Sequence, residues 1–260
     1  MHADSAYVIG ATHEVCQDYA LTGNTERGAF GIVCDGCSSS PDTDVGARLL
    51  ALAVKNGLCA WPDDEPGFDF SLIAQQAPLA LMTLGHDRLE ALDATLLVVR
   101  AVEKSYEIVV YGDGASAALD HDDDVNAVIT TSVSGAPPYL SYCFNSKRKQ
   151  AYVDARLGEI RNDIADGSCW VTPGEPSYTR SGERSYKALA VFSDGVSSFR
   201  DANGDAVDPH IIIHELMTFK TTAGAFVRRR MRGFLRTCKE LGWVHTDDLA
   251  MAAIFLGYES

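Results

Sequence analysis

Positive charge is scarce in this 260-residue chain. Its Lys and Arg number 22 against 36 Asp and Glu, a formal charge of 22 − 36 = −14. Affinity for phosphate backbones comes from clustered cations, so this balance argues against general nucleic-acid binding. Long apolar runs are missing too, and none approaches the roughly 20 residues a bilayer-crossing helix needs; no membrane association is expected. The opening Met1-His2-Ala3-Asp4 lacks a basic stretch followed by an apolar one, so no signal peptide is read and a cytoplasmic location is expected. Paired metal-binding cysteines are absent as well. The seven cysteines are irregularly spaced, and Cys34 with Cys37 forms one C-x-x-C that no second pair completes. Reduced thiols in a reducing compartment follow. No Pro-, Gly- or Ser-rich linker and no internal repeat occurs, so one domain over 1–260, acting as a monomer, is the expectation.

What is present supports a core. The chain is 46% hydrophobic and 22% charged, outside the range of chains that stay disordered. Runs of β-formers at Tyr7-Val8-Ile9, Asp18 to Leu21 and Gly28 to Cys34 read as strands, with Gly23-Asn24 as a turn. Helical spacing runs from Val45 to Leu58 and from Phe70 to Leu92, with Pro78 as a kink or break. Strands are predicted over Ala94–Val102, Tyr106–Tyr111, Lys187–Phe192 and Leu249–Leu256, and helices over Asp208–Phe219 and Ala223–Leu241. Residues 140–185 are polar and weakly periodic, and read as strands with a long excursion or lid. Strands and helices come in blocks rather than in βαβ alternation, which favours α+β layers.

The aspartates carry the chemistry. Asp35, Asp113 and Asp194 each follow an apolar strand and run into Gly36, Gly114 and Gly195; Asp18 opens a strand, and Asp247-Asp248 precede the last one. A carboxylate at the mouth of a buried strand is rigidly held, and the glycine beside it lets the backbone turn. Any single Asp-Gly reads as a turn. Five such acids make five independent turns a poorer account. If they converge, their repulsion runs from ~1 kcal/mol per pair in water to ~4 at an effective dielectric of 20, at 4 Å. Oxygen ligation by such a group selects a hard divalent cation.

The ordered set Gln17-Asp18, Val33-Cys34-Asp35-Gly36, Asp93-Ala94-Thr95-Leu96, Gly112-Asp113-Gly114, Ser193-Asp194-Gly195 and Asp247-Asp248-Leu249-Ala250 resembles the metal-dependent protein phosphatases of the protein phosphatase 2C family, in its bacterial branch. The resemblance covers residues 9 to 256. It implies a four-layer α-β-β-α sandwich of two mostly antiparallel sheets flanked by helices, with a flap within 140–185. It also implies two Mg²⁺ or Mn²⁺ ions: Asp35 bridging both, the Gly36 carbonyl on one, Asp194 and Asp247 on the other, and Asp18 acting through water. Asp113 would serve a third, weaker ion shared with Asp194. The implied reaction is hydrolysis of phosphoserine or phosphothreonine in protein substrates without a phosphoenzyme.

Two positions depart from the family pattern. Cys37 stands where many members have His, and no arginine occurs in residues 9–16 to hold substrate phosphate, which leaves His13 as the candidate phosphate contact. These departures motivate a second reading, a catalytically silent phosphatase-like binding module, although such a module is expected to lose Asp194 or Asp247 and both are here. A cysteine-dependent phosphatase is excluded, because no cysteine has an arginine six positions on. His210 and His214, the loop Asp201–Asp205 and the acids 120–124 read as a helix pair and two turns rather than metal sites. Arg228, Arg229, Arg230, Arg232 and Arg236 make one basic helix, read as a solvated face.

Overall fold

A computed structural model describes residues 1–60, 70, 74–103, 105–183 and 185–257. Seven strands form one antiparallel sheet in the order β1 (His2–Val8), β14 (Leu249–Phe255), β11 (Ala188–Phe192), β6 (Gly114–Leu119), β7 (Val125–Ser132), β8 (Glu159–Asn162) and β9 (Ser168–Trp170). Five form a second, in the order β10 (Tyr178–Glu183), β5 (Ser105–Tyr111), β4 (Leu96–Val102), β3 (Gly28–Asp35) and β2 (Asp18–Asn24). A short pair, β12 (Phe199–Arg200) and β13 (Val244–His245), lies apart.

Residue parity explains the layers, since successive strand side chains point to opposite faces. In the five-stranded sheet Val33, Leu97, Val99, Ile108 and Val110 point inward and meet Leu189, Val191, Ala250, Ala252 and Ile254 of the seven-stranded sheet. Alternate residues Phe30, Ile32, Cys34, Leu96 and Val98 point outward and are covered by α1 (Thr43–Ala60) and α2 (Gln76–Thr83). On the far side Phe192, Leu249, Met251 and Ala253 are covered by α4 (Pro209–Met217) and α5 (Phe226–Leu241). The result is the α-β-β-α stack that the resemblance implied. The central strands are buried on both faces, which is why β14 and β11 read as unbroken apolar runs. Burying each large side chain here contributes about 1.5–3 kcal/mol.

Several local expectations change. Gly23 and Asn24 do not turn; they extend β2, paired with Phe30 and Ala29, and the reversal falls at 25–27, where the Thr25 N–H donates to the Gly28 carbonyl at 3.0 Å. Within the Phe70–Leu92 stretch Phe70 and Ala74 are helical, 71–73 lie outside the described residues, α2 follows, and beyond Thr83 the predicted helix gives way to a single 3₁₀ turn at Leu89–Leu92. Pro78 does not break α2 because it sits in the first turn, where its missing N–H has no carbonyl to meet. The 140–185 stretch contains a helix, α3 (Ser146–Asp154), besides β8, β9 and β10. Its start is fixed by Asn145, whose side chain accepts from the Lys147 and Arg148 N–H groups. Among the described residues no helix is long and apolar enough to cross a membrane.

Candidate metal centre

One end of the sandwich collects the strand termini that carry the acids. Asp18 opens β2 directly opposite Asp35, which closes β3. Asp194 follows β11, and Asp247 and Asp248 precede its neighbour β14. Asp113 lies between β5 and β6, in a turn whose glycines Gly112 and Gly114 have φ of +94° and +130°. Only glycine adopts both readily, so this Gly-Asp-Gly aims the carboxylate by backbone geometry.

The sequence-predicted acids therefore meet. Burial holds Asp18 above the usual carboxylate range, and the nearby charges of Asp194 and Asp248 add to this. Asp35 is raised likewise, by burial first and then by the charges of Asp18 and Asp194. Asp194 is raised by burial and by Asp247. Asp113 is pushed up to about 7, by burial and then by Asp194. Asp247 sits at the mouth, 43% exposed.

Two further groups organise the cluster, and neither was assigned a role from sequence. Ser193 is fully buried; its Oγ donates to Asp18 Oδ2 at 2.6 Å and accepts from the Ala250 N–H at 2.9 Å, tying β2, β11 and β14 together. Asp248 is also buried and accepts from the Gly10 N–H at 2.7 Å and the Gln17 N–H at 2.6 Å. Its partners lie more than 200 residues away in sequence, so only its place in the doubled acid before β14 hinted at it. His13 stands between the two acids, Nε2 3.4 Å from Asp247 Oδ1 and Nδ1 3.1 Å from Asp248 Oδ1. The Nδ1 contact is too poorly aligned for a hydrogen bond and leaves that atom buried without a partner.

Beside Asp35-Gly36, burial pushes the Cys37 thiol up, but hydrogen bonds from Ser39, Tyr139 and Ser40 outweigh it and the net direction is down. Gly36 is tightly enclosed: a Cβ there would lie 2.9 Å from Thr43 and 3.0 Å from the Gln17 carbonyl.

The donor set suits a hard cation. Among the described residues no Lys or Arg forms an ion pair with Asp18, Asp35, Asp113 or Asp194, so their shared charge is uncompensated. Oxygen donors alone favour Mg²⁺ or Mn²⁺ over softer metals. Among the described residues no three His, Cys, Asp or Glu side chains form a ready-made cage; the donor chemistry and the uncompensated charge carry the fit.

The other sequence candidates lie elsewhere. His210 pairs with Asp163 at 2.7 Å on the surface. Asp120 and Asp201 each cap their own turn, through the N–H groups of Asp122 and Asp124 and of Asn203 and Asp205. The basic helix α5 flanks a cavity of about 350 Å³ lined by Lys220, Arg229, Arg230 and Arg236, which shares no residue with the acidic group.

Comparison with known proteins bears on the family and the fold. The sequence profile of the family described as protein phosphatase 2C matches residues 10–236. A bacterial serine phosphatase shares the fold at 13% identity over 100% of both chains, with a TM-score of 0.62. The serine/threonine phosphatase Stp1 from Staphylococcus aureus does so at 13% identity over 99% of this chain and 96% of its own, with a TM-score of 0.60. RsbX in complex with magnesium is similar at 12% identity over 97% and 94%, with a TM-score of 0.51. No curated protein matches the sequence.

Proposed function

We propose a protein phosphatase activity for this chain, which belongs to the protein phosphatase 2C family: hydrolysis of phosphoserine and phosphothreonine esters in protein substrates, dependent on Mg²⁺ or Mn²⁺. The observation that carries the reading is the gathering of Asp18, Asp35, Asp113 and Asp194 at one end of the sandwich, where among the described residues no Lys or Arg pairs with them. Asp35 and the Gly36 carbonyl would hold one ion, with Asp35 shared toward a second on Asp194 and Asp247. Asp18 would act through water, and Asp113 with Asp194 would take a weaker third. Such ions, when bound, supply Lewis acidity that neutralises phosphate charge and acidifies water.

The protein's own groups define the rest. Asp18, Asp35 and Asp194 hold protons more tightly than ordinary carboxylates and must release them on ligation, so cation binding is coupled to proton release. Ser193 and Asp248 fix the backbone from which Asp194 and Asp247 project, so the donors are pre-positioned. His13, held against Asp247 and Asp248 at the mouth, would contact a phosphate oxygen. No histidine follows Asp35-Gly36, so the leaving-group proton comes from solvent. A flap lies within 140–185, the chain is one domain and a monomer, and its place is the cytoplasm.

The purified protein should release phosphate from a phosphopeptide or p-nitrophenyl phosphate with Mn²⁺ and lose this in Asp194→Ala. Turnover that persists under chelation refutes the assignment. Tight Mn²⁺ binding in calorimetry without turnover favours the silent binding module instead.

A further inference from the structure

Asp93 is a buried carboxylate outside the metal group, and it is saturated with donors. Ser40 Oγ donates to Oδ2 at 2.9 Å and Ser141 Oγ to Oδ1, while Arg148 Nη2 reaches both oxygens at 2.9 and 2.8 Å. Ser141 and Arg148 come from the 140–154 segment; Ser40 comes from the loop that follows Gly36.

The backbone beside Asp93 holds that same loop. The Cys37 N–H donates to the Asp93 carbonyl at 2.8 Å, and the Thr95 N–H to the Asp35 carbonyl at 2.8 Å. Thr95 Oγ1 accepts from the Asp35 N–H at 3.2 Å, and Gly36 pairs with Ala94 in an isolated bridge. A short, continuous run of hydrogen bonds thus connects the Arg148 guanidinium to the backbone of Asp35 and Gly36.

Stability alone is a poor reason for this pair. The Arg148 Nη1 is buried without a partner, and burying two charges costs about as much as their attraction returns, so apolar replacements of similar volume often hold a fold equally well. The guanidinium is instead held in one orientation. It lies over the Tyr142 ring, 4.9 Å from its centroid, at the start of a helix capped by Asn145.

We propose that the Asp93–Arg148 pair is a positioning device that couples the 140–154 segment to the Asp35-Gly36 loop, so that docking of α3 sets the orientation of the candidate metal-bridging carboxylate and carbonyl. Arg148 is a positioning residue: its bonds go to Asp93, and it acts on the site through the turn 93–95. The catalytic consequence rests on the phosphatase reading, whereas the mechanical one stands on the hydrogen bonds themselves.

The test compares wild type with Arg148→Met, Arg148→Lys and the charge-neutral double variant Asp93→Asn/Arg148→Met. In metal-free protein, amide exchange at Cys37 and Thr95 should accelerate about tenfold or more in Arg148→Met, with β11 and β14 amides unchanged. With p-nitrophenyl phosphate and Mn²⁺, kcat should fall roughly 10- to 100-fold with KM within about twofold, and half-saturation by Mn²⁺ should move higher. Arg148→Lys, which keeps one charge but not the two-oxygen contact, should be intermediate. The double variant should be no worse than Arg148→Met, because the two residues act as a unit. Wild-type exchange at Cys37 and Thr95 in Arg148→Met overturns the proposal, and so does an effect confined to KM, the signature of a substrate-binding arginine. Should Arg148→Met not fold, the double variant carries the exchange measurement. Absence of Mn²⁺-dependent turnover in wild type refutes the phosphatase reading alone and leaves exchange to decide the coupling.

Discussion

Replacing Asp113 by Asn should stabilise the metal-free protein at neutral pH, against the usual direction for a substitution. The Asp113 carboxyl is pushed from its ordinary 3.8 to about 7, by burial first and then by Asp194. Between these values the folded chain binds a proton that the unfolded chain has released, so stability falls as pH rises through the window from about 4 to 7 and levels off above it. At about 1.4 kcal/mol per pH unit the interval corresponds to ~4 kcal/mol. Solvent at the exposed edge of the side chain screens part of this, leaving about 2–4 kcal/mol. Asn is close to isosteric and carries no charge, so Asp113→Asn escapes the cost. Urea unfolding with chelator at about pH 8 should show it more stable than wild type by that amount, with the gap shrinking to about 1 kcal/mol or less near pH 4.5. A variant no more stable than wild type at pH 8, or a gap that ignores pH, would refute the account of a crowded, uncompensated acid group.

Other perturbations probe the supports of the site. Asp248→Ala strands the Gly10 and Gln17 N–H groups and should cost about 2–5 kcal/mol in urea unfolding, with Asp248→Asn milder because its amide oxygen keeps one of them; a cost under ~1 kcal/mol contradicts the bracing role. At Gly195 a Cβ would lie only 1.7 Å from the Asp248 carbonyl oxygen, so Gly195→Ala should destabilise by about 1–3 kcal/mol or more and weaken the Mn²⁺-induced rise in melting temperature; unchanged melting with and without Mn²⁺ counts against it. Calorimetric titration with Mn²⁺ in two buffers of different ionisation enthalpy should reveal proton release near pH 6 that is reduced in Asp113→Asn, whereas buffer-independent heats would show that the acids are already ionised.

The gathering of acids was legible because its chemistry is local at each strand end. Asp35, Asp113 and Asp194 are marked by the apolar run before them and the glycine after them, and strand geometry alone places such residues at a mouth. The braces were not. Asp248 meets Gly10 and Gln17 across more than 200 residues, and Asp93 meets Arg148 at a separation of 55, so no periodicity announces either contact. The β6–β7 hairpin was also passed over. Gly-Ala-Ser-Ala-Ala-Leu has weak intrinsic strand preference, and β6 is extended because β11 and β7 pair with it on both sides. At Gly23-Asn24 the same force acts in the other direction, as ladder pairing with β3 overrides the turn tendency of the dipeptide.

The acids also explain the spread of burial across the site. Asp18 is fully enclosed and bonded to Ser193, while Asp247 faces solvent. This gradient gives an acid cluster anchored from below and open to solvent from above, with Cys37 at its side, next to Ser39 and Tyr139.

The most direct measurement is an anomalous difference map from crystals soaked in Mn²⁺. Peaks enclosed by Asp35, the Gly36 carbonyl, Asp194 and Asp247 are the predicted result. A soaked crystal whose manganese lies only at surface acids, with these four groups unmoved and unligated, would contradict the metal centre and the hydrolytic function built on it.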